Sequence, residues 1–361
     1  MRILFITEHF YPHIGGSEKL LLDLAVSLVK NNQEVRVVTS NSGGINGTHK
    51  YNDIKIYSCK WPSLFGHPIP NKKDINNHIK WADIVQTAQY TAAPKALMVA
   101  KRFNKPCVLM AYEYLGNSWS IVDNPFRATI FKLFEKWVFN KPYDQFIAIS
   151  KATRKDLISA HINPTRIKVI YPVFNNFSYW KNKNKSRHNS MKNFIYYGRP
   201  GKTKGVFILL DAIRQLDESL SEEIVFTFIL SNDPITERDR FNELVKQYKL
   251  DKRIVILESQ EQDKLKSLII ESYCVIVPSF TEGFGYSAYQ ACMLGKKIIV
   301  SDAGSLPEVI SGKCLIFKSG DSKSLALAIN KAINNKFTLY TDRIGGDNTH
   351  KIIELYTKLI K

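Results

Sequence analysis

The sequence predicts an α/β protein made of two doubly wound halves. Three observations carry this expectation. A strand–loop–helix–strand unit opens the chain, an Asn/Lys/Ser-rich stretch interrupts it near the middle, and the same alternation of short apolar strands and helical periodicity resumes behind that stretch. The length of 361 residues agrees, since domains run to roughly 100–200 residues each. With 44% hydrophobic and 23% charged residues the chain can bury real cores, which excludes a disordered protein.

Arg2–Thr7 is a short apolar run that reads as a buried strand. A loop with Pro12, Gly15 and Gly16 leads to helical spacing over Ser17–Lys30, where Leu20, Leu21, Leu24, Ala25 and Leu28 recur on one face and Ser17 is the expected N-cap. Glu34–Thr39 is the second strand. Asp53–Tyr57, Ile84–Gln86, Cys107–Ala111, Gln145–Ile149 and Ile167–Ile170 continue the first sheet, with a helix over 151–162 ended before Pro164. The segment from Asn175 to Asn193 contains KNKNKSRHNSMK, a poor core former and a good linker. Phe194–Tyr197, Ile224–Leu230, Ile254–Leu257, Cys274–Val277, Lys297–Ser301 and Cys314–Phe317 form a second parallel set, and Thr349–Ile360 is a closing helix. The expected divisions are 1–174, a basic linker 175–192, 193–345, and a terminal helix 346–361. Two Rossmann-like domains on either side of a central cleft follow from this order.

Composition narrows the function classes. Lys and Arg number 51 against 33 Asp and Glu, a net charge of +18 that favours anionic partners such as phosphates or an acidic membrane face. No nucleic-acid-binding module is recognisable, so nucleic acid is not an expected partner. Five scattered cysteines show no metal-ligand spacing, which points to a reducing cytosol and no bound metal. Glu8 breaks the first apolar run too early for a signal peptide. No apolar run approaches the roughly 18–20 residues that span a bilayer.

Three loops carry chemistry. Pro12-His13-Ile14-Gly15-Gly16-Ser17 lies between the first strand and helix, where small residues and free helix N–H groups suit an anion; a tight turn needing positive φ is the plainer alternative. Gly198-Arg199-Pro200-Gly201-Lys202-Thr203-Lys204-Gly205 follows the first strand of the second half. Arg199 and Lys204 there suit a diphosphate, although a solvated basic loop would look the same. The order is not that of a Walker A loop. Pro278 to Ala291 (PSFTEGFGYSAYQA) is the sharpest signal: a strand precedes it, a helix starts near Gly285, Glu282 sits at the loop tip to accept bonds from hydroxyls, and Gln290 lies further along the helix. Gly283-Phe284-Gly285-Tyr286-Ser287-Ala288 also fits G-x-G-x-x-A with Asp302 ending the next strand, the outline of an NAD site, but about five residues separate the glycines from the strand.

Together these motifs resemble the family-4 retaining glycosyltransferases of the GT-B fold. The resemblance runs nearly end to end, through Gly15-Gly16, Ala148-Ile149-Ser150, Gly198-Arg199 with Lys204-Gly205, Glu282-Gly283-Phe284-Gly285, and Ser301-Asp302-Ala303-Gly304-Ser305-Leu306-Pro307-Glu308. It implies a metal-independent hexosyl transfer with retention, from a UDP- or GDP-sugar to a glycan or lipid-linked glycan, in cell-surface polysaccharide or lipopolysaccharide synthesis. The nucleotide-sugar is a co-substrate and no cofactor is implied. Arg199 and Lys204 would hold the diphosphate, Glu282 the donor sugar, and Gln290 would face the ribose. Gly15, Gly16, Gly198, Gly283, Phe284, Gly285, Tyr286 and Ser287 would complete the donor site. The terminal helix would cross back to the first domain.

Two departures stand out. Gln290 replaces a second glutamate, and Tyr112-Glu113 occupies the place where the family has a histidine before an acid. Tyr112 or Glu113 would then take over a catalytic role, or the chain would be a non-catalytic nucleotide-sugar-binding subunit. Finally, Trp119, Phe126, Phe131, Phe134 and Trp137 are interleaved with Arg127, Lys132, Lys136 and Lys141. This stretch reads either as a seat on an anionic membrane, peripheral on its cytoplasmic face, or as a core helix with one wet side. The breadth of its apolar face favours the core helix.

Overall fold

A computed structural model of the chain describes all residues except 14, 42–43, 65, 176–190, 217–222, 343 and 345. The chain divides into two compact units, one of residues 1–175 with 345–361 and one of residues 176–344. Most of the basic segment 175–192 lies outside the described residues.

In the first unit the strands are β1 (Arg2–Thr7), β2 (Glu34–Ser40), β3 (Gly47–Tyr51), β4 (Ile54–Cys59), β5 (Ser63–Leu64), β6 (His67–Pro68), β7 (Ile84–Ala88), β8 (Cys107–Ala111), β9 (Gln145–Ala148) and β10 (Ile167–Val169). Among the described residues eight of them form one sheet in the order β10-β9-β8-β7-β1-β2-β4-β3, parallel except for β3, while β5 and β6 make a small hairpin. β7 and β8 are buried along their whole length, as strands covered on both faces by helices must be.

The β3 strand is absent from the sequence reading, and its cause is local. Asn52 and Asp53 both take positive φ, 45° and 62°, the conformation of a two-residue hairpin turn that Asn and Asp tolerate. Ser17 does not cap the first helix. That helix spans Gly16–Lys30 with Gly15 at the N-cap, and the Ser17 hydroxyl instead donates to Glu18 Oε2. The Thr349–Ile360 helix belongs to the first unit. Ile352 and Tyr356 are buried, and Thr349 and Ser27 share a buried hydroxyl–hydroxyl bond of 2.6 Å.

The second unit holds β11 (Lys192–Gly198), β12 (Ile224–Leu230), β13 (Ile254–Glu258), β14 (Cys274–Val277), β15 (Lys297–Ser301), β16 (Gly312–Phe317) and β17 (Thr338–Tyr340). Their order is β13-β12-β11-β14-β15-β16-β17, parallel except for the edge strand β17, which sequence reading missed. Alternation along β11 feeds two cores: Phe194 and Tyr196 enter one, Ile195 and Tyr197 the other. Chain order reverses direction between β11 and β14 here, and between β1 and β7 in the first unit. Such reversals leave a crevice beyond the carboxyl ends of the two strands, where open α/β sheets bind ligands.

Candidate functional site

In the second unit the crevice lies where the loops after β11 and β14 interlock. Gly205 has φ +70°, and a Cβ there would stand 1.8 Å from the Pro278 carbonyl oxygen. Only glycine fits both demands. The Phe280 amide donates to the Thr203 carbonyl at 2.8 Å and ties the loops a second time. A third loop, after β15, closes over them. Gly304 (φ +51°) brings its backbone against Glu282, where a Cβ would be 2.2 Å from the Glu282 carbonyl oxygen. That same oxygen accepts from the Ser305 amide at 3.0 Å and the Ser305 hydroxyl at 3.1 Å.

This packing fixes one charged constellation. Lys204 Nζ donates to Glu282 Oε2 at 2.9 Å, and Ser279 Oγ donates to the same oxygen at 3.0 Å. The Glu282 side chain retains 15% of its exposure and that of Lys204 retains 33%, so the pair is half-sheltered and still reachable. An ammonium has three N–H donors, of which Lys204 gives one to Glu282 among the described residues. Gly285 takes φ +81° and caps the Tyr286–Met293 helix, whose first N–H groups face out of the helix end. The Tyr197 hydroxyl holds that helix by donating to the Ser287 carbonyl at 2.6 Å.

The sequence-predicted residues of this unit divide by role. Gly198, Lys204, Glu282, Gly283, Gly285, Tyr286 and Ser287 come from the two interlocked segments after β11 and β14. Arg199 is exposed, and its carbonyl accepts from the Tyr196 hydroxyl at 2.9 Å. Phe284 sends its ring into the core against Tyr289, so only its backbone is available to a ligand. Gln290 is buried on the helix. Asp302, the acid of the NAD outline, is engaged by the Ser319 amide at 2.8 Å and serves as a loop tie. Ser279, Gly304 and Ser305 position Glu282; they were legible only as members of a motif.

The first unit has its own polar crevice at the β1/β7 reversal. Glu8, directly after β1, is buried; its Oε1 accepts from the amides of Tyr90 (2.9 Å) and Thr91, and its Oε2 pairs with His67 Nδ1 at 3.2 Å. Burial pulls the Glu8 carboxyl up, but the bonds from His67 and Thr91 outweigh it and the net shift is downward. The His67 imidazole is raised by the hydrogen bond to Glu8, against its partial burial. Behind them Glu135, fully buried, accepts from the amides of Leu115 (2.9 Å) and Gly116 (2.7 Å), from Trp119 Nε1 (3.1 Å) and from the Tyr90 hydroxyl (3.3 Å). Sequence reading used Glu8 only against a signal peptide. Its place immediately after a buried strand was the available signal.

Gly15 and Gly16 have no positive φ, which removes the tight-turn alternative. A Cβ at Gly16 would meet nothing within 4 Å, whereas one at Gly15 would collide with Glu18 Oε2 at 2.1 Å. Tyr112 and Glu113 follow β8, and Gln89 Oε1 accepts from both of their amides, at 3.1 Å and 3.4 Å. The Tyr112 hydroxyl is buried with no hydrogen-bond partner among the described residues, and burial holds it far above the ordinary phenol value. A phenol so placed stays neutral and is a poor proton carrier at neutral pH.

A charged crevice at the strand-order reversal of a doubly wound sheet defines a class of ligand-binding α/β protein, and similarity to known proteins specifies it. Residues 14–175 match Glycosyltransferase Family 4, and residues 178–351 match Glycosyl transferases group 1. The chain belongs to this family-4 type of GT-B glycosyltransferase, with two Rossmann-like domains. It is 22% identical to a phosphatidylinositol N-acetylglucosaminyltransferase component of Homo sapiens, over 98% of this chain and 72% of that one. It is 26% identical to an uncharacterized protein in the cps region of Klebsiella pneumoniae, over 60% of this chain and 59% of that one. Its fold is similar to that of Anabaena HepE in complex with UDP-glucose, with TM-score 0.73 and 17% identity, over 100% of this chain and 96% of that one.

Proposed function

We propose that the chain is a retaining, metal-independent hexosyltransferase. It moves a sugar from a UDP- or GDP-linked donor to a glycan or lipid-linked glycan, in cell-surface polysaccharide or lipopolysaccharide synthesis at the cytoplasmic side of a membrane. The observation that carries this reading is the Lys204–Glu282–Ser279 constellation at the β11/β14 crevice, beside the helix that starts at Tyr286. The UDP-glucose complex of HepE and the cps-region relative agree with it.

The chemistry needs charge stabilised on a leaving diphosphate. Lys204, Arg199 and the amides of 283–287 supply positive potential there without reorganising during the step. Glu282 accepts from sugar hydroxyls and is held for that by Lys204, Ser279 and Ser305. Gln290 would meet ribose hydroxyls as a mixed donor and acceptor. In the first unit Glu8, His67 and the 112–113 segment would meet an acceptor.

A second reading, a non-catalytic nucleotide-sugar-binding subunit, is favoured by the buried, neutral Tyr112 phenol and by Gln290. An NAD-dependent oxidoreductase fits less well, because Asp302 is committed to Ser319. Incubating the purified chain with UDP- and GDP-sugars and measuring nucleotide release, with and without a chelator, decides. Release that survives chelation supports the metal-independent transferase. Binding without release in any membrane-extract acceptor mixture supports the subunit.

A further inference from the structure

The Pro125–Phe139 helix has the core side and wet side of the core-helix expectation, but its wet side is apolar. Its buried residues are Ala128, Glu135, Val138 and Phe139, while Phe126 is 76% exposed, Leu133 62%, Trp137 48% and Ile130 37%. At about 100° per residue, positions 126, 130, 133 and 137 fall within an arc of about 60°, and Glu135 lies diametrically opposite. The helix therefore has two faces of different purpose. Its inner face anchors the unit through Glu135. Its outer face is an apolar stripe that stays a third to three quarters exposed among the described residues, and Val122, ending the preceding short helix, is exposed at 40%.

Basic residues line this stripe. Arg127 falls on one side of it, and Lys132 and Lys136 on the other, all exposed. Lys141 continues the line and stands 4.1 Å over the Trp137 ring. Apolar side chains in the centre with long cationic ones at the margin suit a surface that is greasy inside and anionic at its rim. A second copy of this chain fits poorly, because it would bring the same cations together on a molecule already carrying +18.

We propose that this helix seats the protein on an anionic bilayer, with Phe126, Ile130, Leu133 and Trp137 entering the acyl boundary and Arg127, Lys132, Lys136 and Lys141 meeting lipid headgroups. The other side of the same helix reaches the first-unit crevice. Phe131 stacks on Trp119 at 5.1 Å and meets the His67 ring edge-on at 6.2 Å, and His67 pairs with Glu8. One helix therefore carries the proposed bilayer seat and also contacts the Glu8–His67 crevice, on a unit to which an acceptor whose lipid tail stays in the bilayer would present its sugar. The assignment of the acceptor as lipid-linked rests on the transferase reading; the bilayer contact does not.

Flotation of the full chain with vesicles tests the contact. Wild-type protein is expected to rise with phosphatidylcholine vesicles holding about 30 mol% phosphatidylglycerol at low salt and to rise less at high salt. With pure phosphatidylcholine it should rise at least about tenfold less. A combined F126S/L133S/W137S variant and a separate K132E/K136E variant are each expected to cut flotation by about tenfold or more. Every substituted position is exposed, and unchanged melting temperature confirms folding. Wild-type protein left at the bottom with anionic vesicles overturns the proposal, and so does a triple variant that floats undiminished. A stripe-dependent dimer in light scattering, without flotation, overturns it in favour of a second copy. UDP-glucose protection against thermal unfolding, measured on the same samples, separates the two claims. Protection without flotation removes only the bilayer seat, and flotation without protection removes only the transferase reading.

Discussion

Replacing Lys204 by alanine is the most informative perturbation of the donor crevice. The ammonium stands 2.9 Å from Glu282 Oε2. At an effective dielectric near 20, unit charges at that distance attract by roughly 6 kcal/mol before solvation is counted. Desolvation offsets most of this, because Lys204 keeps a third of its exposure and Glu282 15%. The expected net loss of stability is about 1–2 kcal/mol, between an exposed pair and a fully buried one. Turnover should fall further. Loss of a preorganised cation at a developing diphosphate charge costs on the order of 10²-fold, equivalent to about 2.7 kcal/mol of barrier. The Glu282 carboxylate, left among the described residues with the Ser279 bond while Ser305 still holds the Glu282 carbonyl, adds to that by wandering. The assay is nucleotide release from a UDP-sugar by the purified variant, beside urea unfolding of the same preparation. Lys204→Arg should recover part of the loss, since it restores charge with a different reach. If Lys204→Ala loses the expected stability but turns over within about twofold of wild type, the pair is a structural tie and the assignment of Lys204 to the diphosphate is wrong.

Other outcomes follow from the same geometry. Gly205→Ala should destabilise the second unit by at least about 3 kcal/mol in urea unfolding, because it adds a Cβ 1.8 Å from a carbonyl oxygen at φ +70°; a wild-type unfolding curve would contradict the interlocked loops. The Glu8–His67 pair gives stability a defined pH window. The Glu8 carboxyl lies below its ordinary 4.5, so its contribution is present above that value and is lost as pH falls through the folded-state value. The His67 imidazole lies above its ordinary 6.5, so its contribution is complete below 6.5 and is lost as pH rises through the folded-state value. His67→Gln should flatten the fall in melting temperature on the alkaline side; an unchanged profile would remove His67 as its cause. UDP-sugar at about 100 times its dissociation constant should stabilise the fold by about 2.7 kcal/mol while NADH leaves it unmoved, and the reverse pattern in a thermal-shift panel would favour the oxidoreductase.

The sequence made the doubly wound architecture legible because parallel strands covered on both faces are continuous apolar runs, as in Cys107–Ala111 and Cys274–Val277. Edge strands were not legible. β3 is half exposed and polar, GTHKY, and owes its existence to the Asn52-Asp53 turn and its antiparallel partner. At the donor crevice the glycines and charges were visible as types, but which of them touch was not. Gly205 against Pro278 and Gly304 against Glu282 join positions 73 and 22 residues apart in the chain, and no local pattern encodes such a meeting. The Pro125–Phe139 helix shows the opposite failure. Apolar residues lie all around it, so periodicity alone could not say which arc was inside; the buried carboxylate of Glu135 is what orients it.

The attachment of the Thr349–Ile360 helix to the first unit has a consequence for biosynthesis. The core around Ser27 is completed by Thr349, Ile352 and Tyr356, which leave the ribosome more than three hundred residues later. Residues 1–175 therefore emerge with a hydrophobic gap that must wait, shielded by chaperones or by transient collapse, until residues 349–356 have followed. Residues 176–344 can close on their own strands first, so a later-made segment sets the moment at which an earlier-made one matures.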